Sequence, residues 1–223
     1  MTHVPLSAAD WAGIDHVLLD LDGTLLDLYY DRHFWHVVVP GAWGAGRGLD
    51  PVAARAQLDP RFHAVEGTLD WYSIDYWSRE LQLDIRALKR NDTTRIGWLP
   101  GAREFVRRVR ALGKRTVLAT NSHPDVLQIK HESTGVCDEL DVSFSSHVFG
   151  APKEQPQFWA ALRAVEPFDP ARTLFVDDNV PMLRAARAAG VAHLVAVRRP
   201  DSALPERDHD EFGSVERIVD LLG

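Results

Sequence analysis

The stretch Val17-Leu18-Leu19-Asp20-Leu21-Asp22-Gly23-Thr24-Leu25 constrains this chain more than any other. A Val/Leu run too short for an ordinary helix ends abruptly in two aspartates separated by one leucine, and Gly23 then lets the backbone turn sharply. The pattern predicts a buried strand that delivers carboxylates to a loop. Side chains alternate along extended backbone, so Asp20 and Asp22 share one face. Two negative charges held that close are costly unless a metal ion or a proton resolves them.

At 223 residues the chain is long enough for one substantial core, or for one domain with a sizeable insertion. Its charged and apolar fractions are those of an ordinary globular protein. A formal charge of -7 argues against a nucleic-acid polymer as partner, since phosphate neutralisation by Lys and Arg dominates that binding. Any phosphate-bearing ligand then needs a local cation. Cys137 is the sole cysteine, which rules out an internal disulfide framework and fits a reducing compartment, so the cytoplasm is the expected location. Met1 to Asp10 holds no basic region followed by an apolar stretch, and no later run is apolar enough to span a bilayer; neither export signal nor membrane anchor is expected.

From Asp27 to about Pro100 the character changes. This segment holds Trp35, Trp43, Trp71, Trp77 and Trp98, five of the seven tryptophans, with all four tyrosines and no second Leu/Val strand, and it reads as a helical insertion. Gly41 to Pro51 is Gly-rich and predicts a loop, and Pro51 then starts a helix with proline in its first turn. Thr68 to Leu83 has helical spacing, with Leu69, Tyr72, Tyr76, Leu81 and Leu83 as packing positions. Beyond Pro100 the pattern is regular. A helix over Gly101 to Leu112 precedes a strand Arg115 to Thr120 that runs into Asn121. A helix from Pro124 to Thr134 and a weaker strand over Leu140 to Ser146 follow, and then Lys153 in a loop ahead of a Pro156 to Val165 helix. Thr173 to Asp178 is a second apolar strand ending in paired aspartates, followed by a helix Pro181 to Ala189 and a strand Ala192 to Val197. The tail from Pro200 to Gly213 is loop-like, and Ser214 to Leu222 reads as a short capped helix.

Alternating strand and helix predicts a mostly parallel sheet with helices on both faces, a Rossmann-like three-layer α/β core. Such a sheet gathers the C-terminal ends of its strands at one edge, where ligands bind. That edge receives Asp20, Asp22, Thr120, Asn121, Asp177 and Asp178, with Lys153 nearby. These groups could hold a divalent metal, bind an anion through metal and lysine together, or form a polar rim. An all-oxygen donor set suits Mg²⁺ far better than zinc, for which His or Cys is expected.

Taken in order, Asp20-Leu21-Asp22-Gly23-Thr24-Leu25, Thr120-Asn121, Lys153 and Asp177-Asp178 resemble the four motifs of haloacid dehalogenase (HAD) phosphatases, and the insertion resembles the helical cap of that superfamily's first subclass. The resemblance covers nearly the whole chain and implies a catalytic core of residues 1–27 and 100–223 with a cap of 28–99. Leu18-Leu19-Asp20, Phe34-Trp35, Val39-Pro40, Asp70-Trp71-Tyr72, Asp75-Tyr76-Trp77-Ser78 and Phe149-Gly150-Ala151-Pro152-Lys153-Glu154 are further similar to the bacterial GMP/IMP 5′-nucleotidase branch. Glu154 stands where many such phosphatases have proline, a difference not expected to cost Lys153 its role. The resemblance implies that Asp20 is the nucleophile that forms an aspartyl-phosphate. It makes Asp22 the acid toward the leaving oxygen and then the base toward water. Mg²⁺ is implied on the carboxylates of Asp20 and Asp177 and the backbone carbonyl of Asp22, with Asp178 accepting from a metal-bound water or from Lys153. Thr120, the Asn121 amide and Lys153 are implied to grip the phosphoryl oxygens, with Gly23 letting the backbone come close.

A dehalogenase on this fold needs no acid two residues after the nucleophile, so Asp22 counts against it. A phosphomutase would keep all four motifs, a phosphonatase would want a cap lysine, of which Lys89 is the only one, and a non-catalytic binding protein would commonly lose the nucleophile. The expected substrate is a small phosphate monoester, a purine nucleoside 5′-monophosphate whose base lies against Trp71, Tyr72 and Tyr76. Spacing on a single helix puts Trp71 beside Asp75 and Tyr72 beside Tyr76. Asp75 is the expected reader of the base edge, with Asp31 or His33 as alternatives.

Overall fold

The computed structural model describes residues 6–208 and 211–222; Met1 to Pro5 of the N-terminal stretch, His209 and Asp210 of the tail, and Gly223 lie outside the described residues. Six parallel strands form one sheet: β1 (His16–Leu19), β2 (Arg115–Thr120), β3 (Val142–Ser145), β4 (Thr173–Asp177), β5 (His193–Val197) and β6 (Gly213–Val215). Their order is β3-β2-β1-β4-β5-β6. The chain steps outward from β1 through β2 to β3, then returns to the other side of β1 for β4. The strand order therefore reverses between β1 and β4, the place where open sheets of this kind leave a crevice at their C-terminal ends. Register puts Leu19 level with Leu118 of β2 and Val176 of β4, so the residues that follow all three emerge together.

Alternation along β1 splits the core into two layers. Val17 and Leu19 pack with Phe105, Val106, Val109 and Leu221 on one face, whereas Leu18 packs with Phe158, Trp159, Leu162 and Leu183 on the other. A third apolar cluster lies apart from the sheet, where Phe34, Trp43, Leu58, Phe62, Ile74, Trp77, Leu81 and Ile85 bring together the helices between β1 and β2. Among the described residues no helix is long and apolar enough to cross a membrane.

Three local expectations are corrected. Gly41 to Gly46 is not wholly loop, because helix Val39–Ala45 runs through it; a Cβ on Gly44 would lie 2.8 Å from the Leu49 carbonyl and 3.0 Å from Ala54 Cβ, so close packing dictates glycine there. Thr68 to Leu83 is two helices, Leu69–Tyr72 and Ile74–Leu81, broken at Ser73, whose extended backbone and hydroxyl cap the second helix at the Tyr76 amide. The segment from Ser214 begins as strand β6, with Val215 beside Val197, before a 3-10 helix Ile218–Leu222. Ser214 and Val215 are both buried, and pairing with β5 offers them more than a free helix start.

Candidate active site

Asp20 follows β1 directly, and its amide donates to the Val176 carbonyl at 3.0 Å, which locks it against the end of β4. Asp20, Asp177 and Asp178 are all buried and can each bring a carboxylate oxygen within 4.8 Å of the others. Lys153 reaches into this group, donating to Asp20 Oδ1 at 2.5 Å and Asp177 Oδ2 at 2.7 Å. Arg207 Nη1 donates to Asp178 Oδ2 at 3.0 Å, so Asp178 takes its cation from the tail and not from Lys153. Three carboxylates thus face two cations. Burial, with the neighbouring Asp177 charge, outweighs Lys153 and pushes the Asp20 carboxyl up to about 6; burial likewise raises Asp177 and lifts Asp178 well above the ordinary carboxylate range. Surplus buried negative charge on oxygen donors alone, with no His or Cys among them, fits a hard divalent cation such as Mg²⁺.

Asp22 is turned elsewhere. Its carboxylate lies outside the group of three and accepts from Lys130 Nζ at 2.6 Å. Burial, together with Asp31 and Asp20, outweighs Lys130 and raises it to about 6, so a proton can reside there near neutrality. The turn that follows Asp22 depends on Gly23. At its φ of 93° a Cβ would sit 2.7 Å from Asp178 Cγ and 2.8 Å from Pro200 Cβ. Gly23→Ala is therefore expected to lower stability by about 1–3 kcal/mol, because it combines left-handed strain with overpacking, and to displace the Asp178 carboxylate. Thermal melting and phosphate release on the same sample check both effects.

Thr120 ends β2, Asn121 follows it, and both are buried. The Asn121 side chain is structural on both sides: Oδ1 accepts from the Lys153 amide at 2.9 Å and Nδ2 donates to Glu154 at 3.0 Å. Glu154 also accepts from the Tyr72 hydroxyl at 2.7 Å, so the residue in the place of the familiar proline ties the inserted segment to the strand ends.

These groups open into a cavity of about 440 Å³, within the ~300–1,000 Å³ usual for small-molecule sites. Asp20, Asp22, Thr120, Asn121, Lys153, Asp177 and Asp178 line it together with the aromatic side chains Trp35, Phe62, Trp71, Tyr72 and Trp77. Of the expected base contacts, Trp71 and Tyr72 reach the cavity, but Asp75, Tyr76 and His33 are not among its lining residues. For Asp75 and Tyr76 the break at Ser73 is the reason. Asp75 turns out toward Arg86, at 3.1 Å, and Tyr76 packs edge-on against Trp77. His33 lies beside the Tyr29 ring. Asp31 lines the cavity, but both its oxygens are engaged, by Lys89 at 2.9 Å and Lys130 at 2.6 Å. Lys89 also lines the cavity, and its ammonium is committed to Asp31 rather than free as a nucleophile. Lys130, Arg207 and the bridging role of Glu154 escape sequence reasoning. The one available signal is that Lys89 and Lys130 each stand four residues after a buried apolar residue, Ile85 and Val126, on the inward face of a helix.

The haloacid dehalogenase-like hydrolase family matches residues 14–190. The chain is 41% identical over 219 residues to the GMP/IMP nucleotidase YrfG of Escherichia coli (strain K12), across 95% of this chain and 97% of that protein. Among solved structures it resembles a HAD phosphatase from Thermococcus onnurineus, with a TM-score of 0.77 at 18% identity over 93% of this chain and 96% of that one. It also resembles the L-2-haloacid dehalogenase from Xanthobacter autotrophicus, with a TM-score of 0.63 at 19% identity over 94% and 97%. The two structures carry different chemistries on one fold, so at these identities they speak to the fold alone. By the family match and the extent of the sequence likeness, the chain belongs to the haloacid dehalogenase-like hydrolases.

Proposed function

We propose that the chain is a Mg²⁺-dependent phosphomonoesterase of the cytoplasm, acting on purine nucleoside 5′-monophosphates of the GMP/IMP kind through an aspartyl-phosphate. The observation that carries this reading is the buried trio Asp20, Asp177 and Asp178, with Lys153 donating to Asp20 and Asp177, in a cavity that aromatic side chains also line. A likeness of 41% identity to a nucleotidase over nearly the full length of both chains supports the substrate class.

Residues 28–99 act as a cap over a core of 1–27 and 100–223. Asp20 attacks phosphorus while the bond to the ribose oxygen breaks and Asp22 gives that oxygen its proton. Asp22, now a carboxylate, takes a proton from the water that attacks phosphorus, and the bond to Asp20 breaks to release phosphate. Lys153, Thr120 and the Asn121 amide hold the phosphoryl oxygens as charge shifts among them. Asp20, Asp177 and the Asp22 carbonyl would hold Mg²⁺, with Asp178 at their side, and when bound it supplies positive charge against the crowding of carboxylate and phosphate. Trp71 offers the base a stacking face.

Release of inorganic phosphate from an aryl phosphate with Mg²⁺ is expected, and its loss in EDTA. Across GMP, IMP, AMP, UMP and a hexose phosphate, kcat/KM is expected to be highest for GMP and IMP. Trp71→Ala should lower the nucleotide values about 5- to 150-fold, the worth of ~1–3 kcal/mol of stacking, and leave the hexose phosphate nearly unchanged. Asp75→Ala, outside the cavity, should not alter base choice. Flat specificity or a preference for the hexose phosphate would leave a general HAD phosphatase of small metabolites and overturn the nucleotidase reading.

A further inference from the structure

Lys130 and Lys89 are lysines outside the four motifs whose side chains are only 1% and 2% exposed. Lys130, on helix Pro124–Thr134, donates to Asp22 Oδ1 and to Asp31 Oδ2, each at 2.6 Å. Lys89, on helix Ile85–Asn91, donates to Asp31 Oδ1 at 2.9 Å. Carboxylates and ammoniums thus alternate in one chain, Asp22–Lys130–Asp31–Lys89, from the loop after β1, across the helix after β2, into two helices of the inserted segment. Desolvating ammonium groups is expensive, and apolar packing of similar volume commonly serves stability as well, so stability alone is a weak account of this arrangement.

Its placement suggests another role. Asp22 lines the cavity. Among the described residues Lys130 is the hydrogen-bond partner of its Oδ1, and none engages Oδ2. A carboxyl group that must present one oxygen within about 2.6–3.2 Å of a leaving group works only if rotation about its own bonds is suppressed. Lys130 suppresses it by gripping the other oxygen. Asp31 and Lys89 then fix Lys130, whose flexible stem would otherwise roam.

We propose that Lys130 is a positioning residue for the proton transfer at Asp22: it holds Oδ1 so that Oδ2 meets the leaving oxygen, and Asp31 with Lys89 anchors it from the inserted segment. The inference rests on the phosphomonoesterase reading and is independent of the natural substrate.

The test is kcat/KM for Lys130→Met on aryl phosphates whose phenols span good to poor leaving groups. This ratio includes no step after the phenol departs, so slow hydrolysis of the aspartyl-phosphate cannot mask the effect. The loss is expected to be below about tenfold for 4-nitrophenyl phosphate and about 10²-fold or more for phenyl phosphate, the scale of general acid help. In an Asp22→Asn background the same substitution should add little, since both remove one interaction. Should Lys130→Met fail to fold, the double variant Lys130→Met with Asp31→Asn removes one cation and one anion together and should show the same split. An equal loss on all leaving groups, or no loss, overturns the positioning role. Failure of the wild type to hydrolyse any aryl phosphate overturns the phosphatase reading as well, which separates the two.

Discussion

Asp20→Asn is expected to reduce phosphate release to the uncatalysed level while the protein stays folded. The substitution keeps the shape of a side chain that is 7% exposed and lies against the end of β4, but it replaces the carboxylate proposed as nucleophile by an amide that cannot form an acyl phosphate. Stability should move the other way. Asp20, Asp177 and Asp178 outnumber Lys153 and Arg207 by three to two, so removing one negative charge evens the balance. In EDTA the variant should therefore melt no lower than the wild type, and the added stability that Mg²⁺ gives the wild type should shrink, because a ligand that binds only the folded state stabilises in proportion to its affinity. Melting curves with and without Mg²⁺, beside phosphate release, read all three outcomes. Near-normal turnover by folded Asp20→Asn would sink the nucleophile assignment.

The parts of this fold readable from sequence are those where local pattern and tertiary environment agree. Val17 to Leu19 and Leu174 to Val176 are continuous apolar runs because both faces of a central parallel strand are covered, and all six of these residues are fully buried. Helix Pro124–Thr134 starts with proline and stops at Gly135, whose φ of 69° ends it, so both boundaries are written in residue type. Where the two levels conflict, pattern misleads. Glycines 41, 44 and 46 say loop, yet helix Val39–Ala45 forms because Gly44 must pack against Leu49 and Ala54. The helical spacing from Thr68 to Leu83 conceals a break that one residue, Ser73, imposes by its backbone and cap. Three residues suffice for β6, too few for any period to show, and what selects them is an open edge of β5.

The same division runs through the site. Motif carboxylates follow strands, so position in sequence implies position in space. Asp31, Lys89 and Lys130 are far apart in the chain and on three helices, and only packing brings the two ammonium groups within 2.9 and 2.6 Å of the Asp31 carboxylate. Glu154 could be noticed as a departure from the proline pattern, but not as the acceptor that joins Tyr72 to Asn121. A residue four positions after an apolar core residue on a helix is expected to be apolar; a lysine there is the trace such a network leaves, visible at Ile85 to Lys89 and Val126 to Lys130.

Lys153→Met should cost both activity and, in metal-free buffer, stability. The lysine side chain is 2% exposed and donates to Asp20 at 2.5 Å and Asp177 at 2.7 Å, while methionine fills a similar volume with no charge. Two buried carboxylates then face each other with only Arg207 near the group, on Asp178. Leaving a buried charge without its partner costs about 3–5 kcal/mol, which for a chain of this length lowers Tm by roughly 6–20 °C. Protonation of one carboxylate would relieve part of this, so the deficit should be larger at pH 8 than at pH 5. Added Mg²⁺ should recover much of it, since a cation bound to Asp20 and Asp177 replaces the lost charge. Activity should stay about 10²–10³-fold down in saturating Mg²⁺, because the metal does not replace Lys153 in its proposed role as donor to the phosphoryl oxygens. Asp20→Asn and Lys153→Met also test each other. Combining Asp20→Asn with Lys153→Met removes one charge of each sign, and in EDTA the double variant should melt above Lys153→Met alone, a coupling expected of groups in direct contact. If Lys153→Met melts with the wild type in EDTA at both pH values, the lysine is not what neutralises these carboxylates, and the charge balance drawn for the site fails.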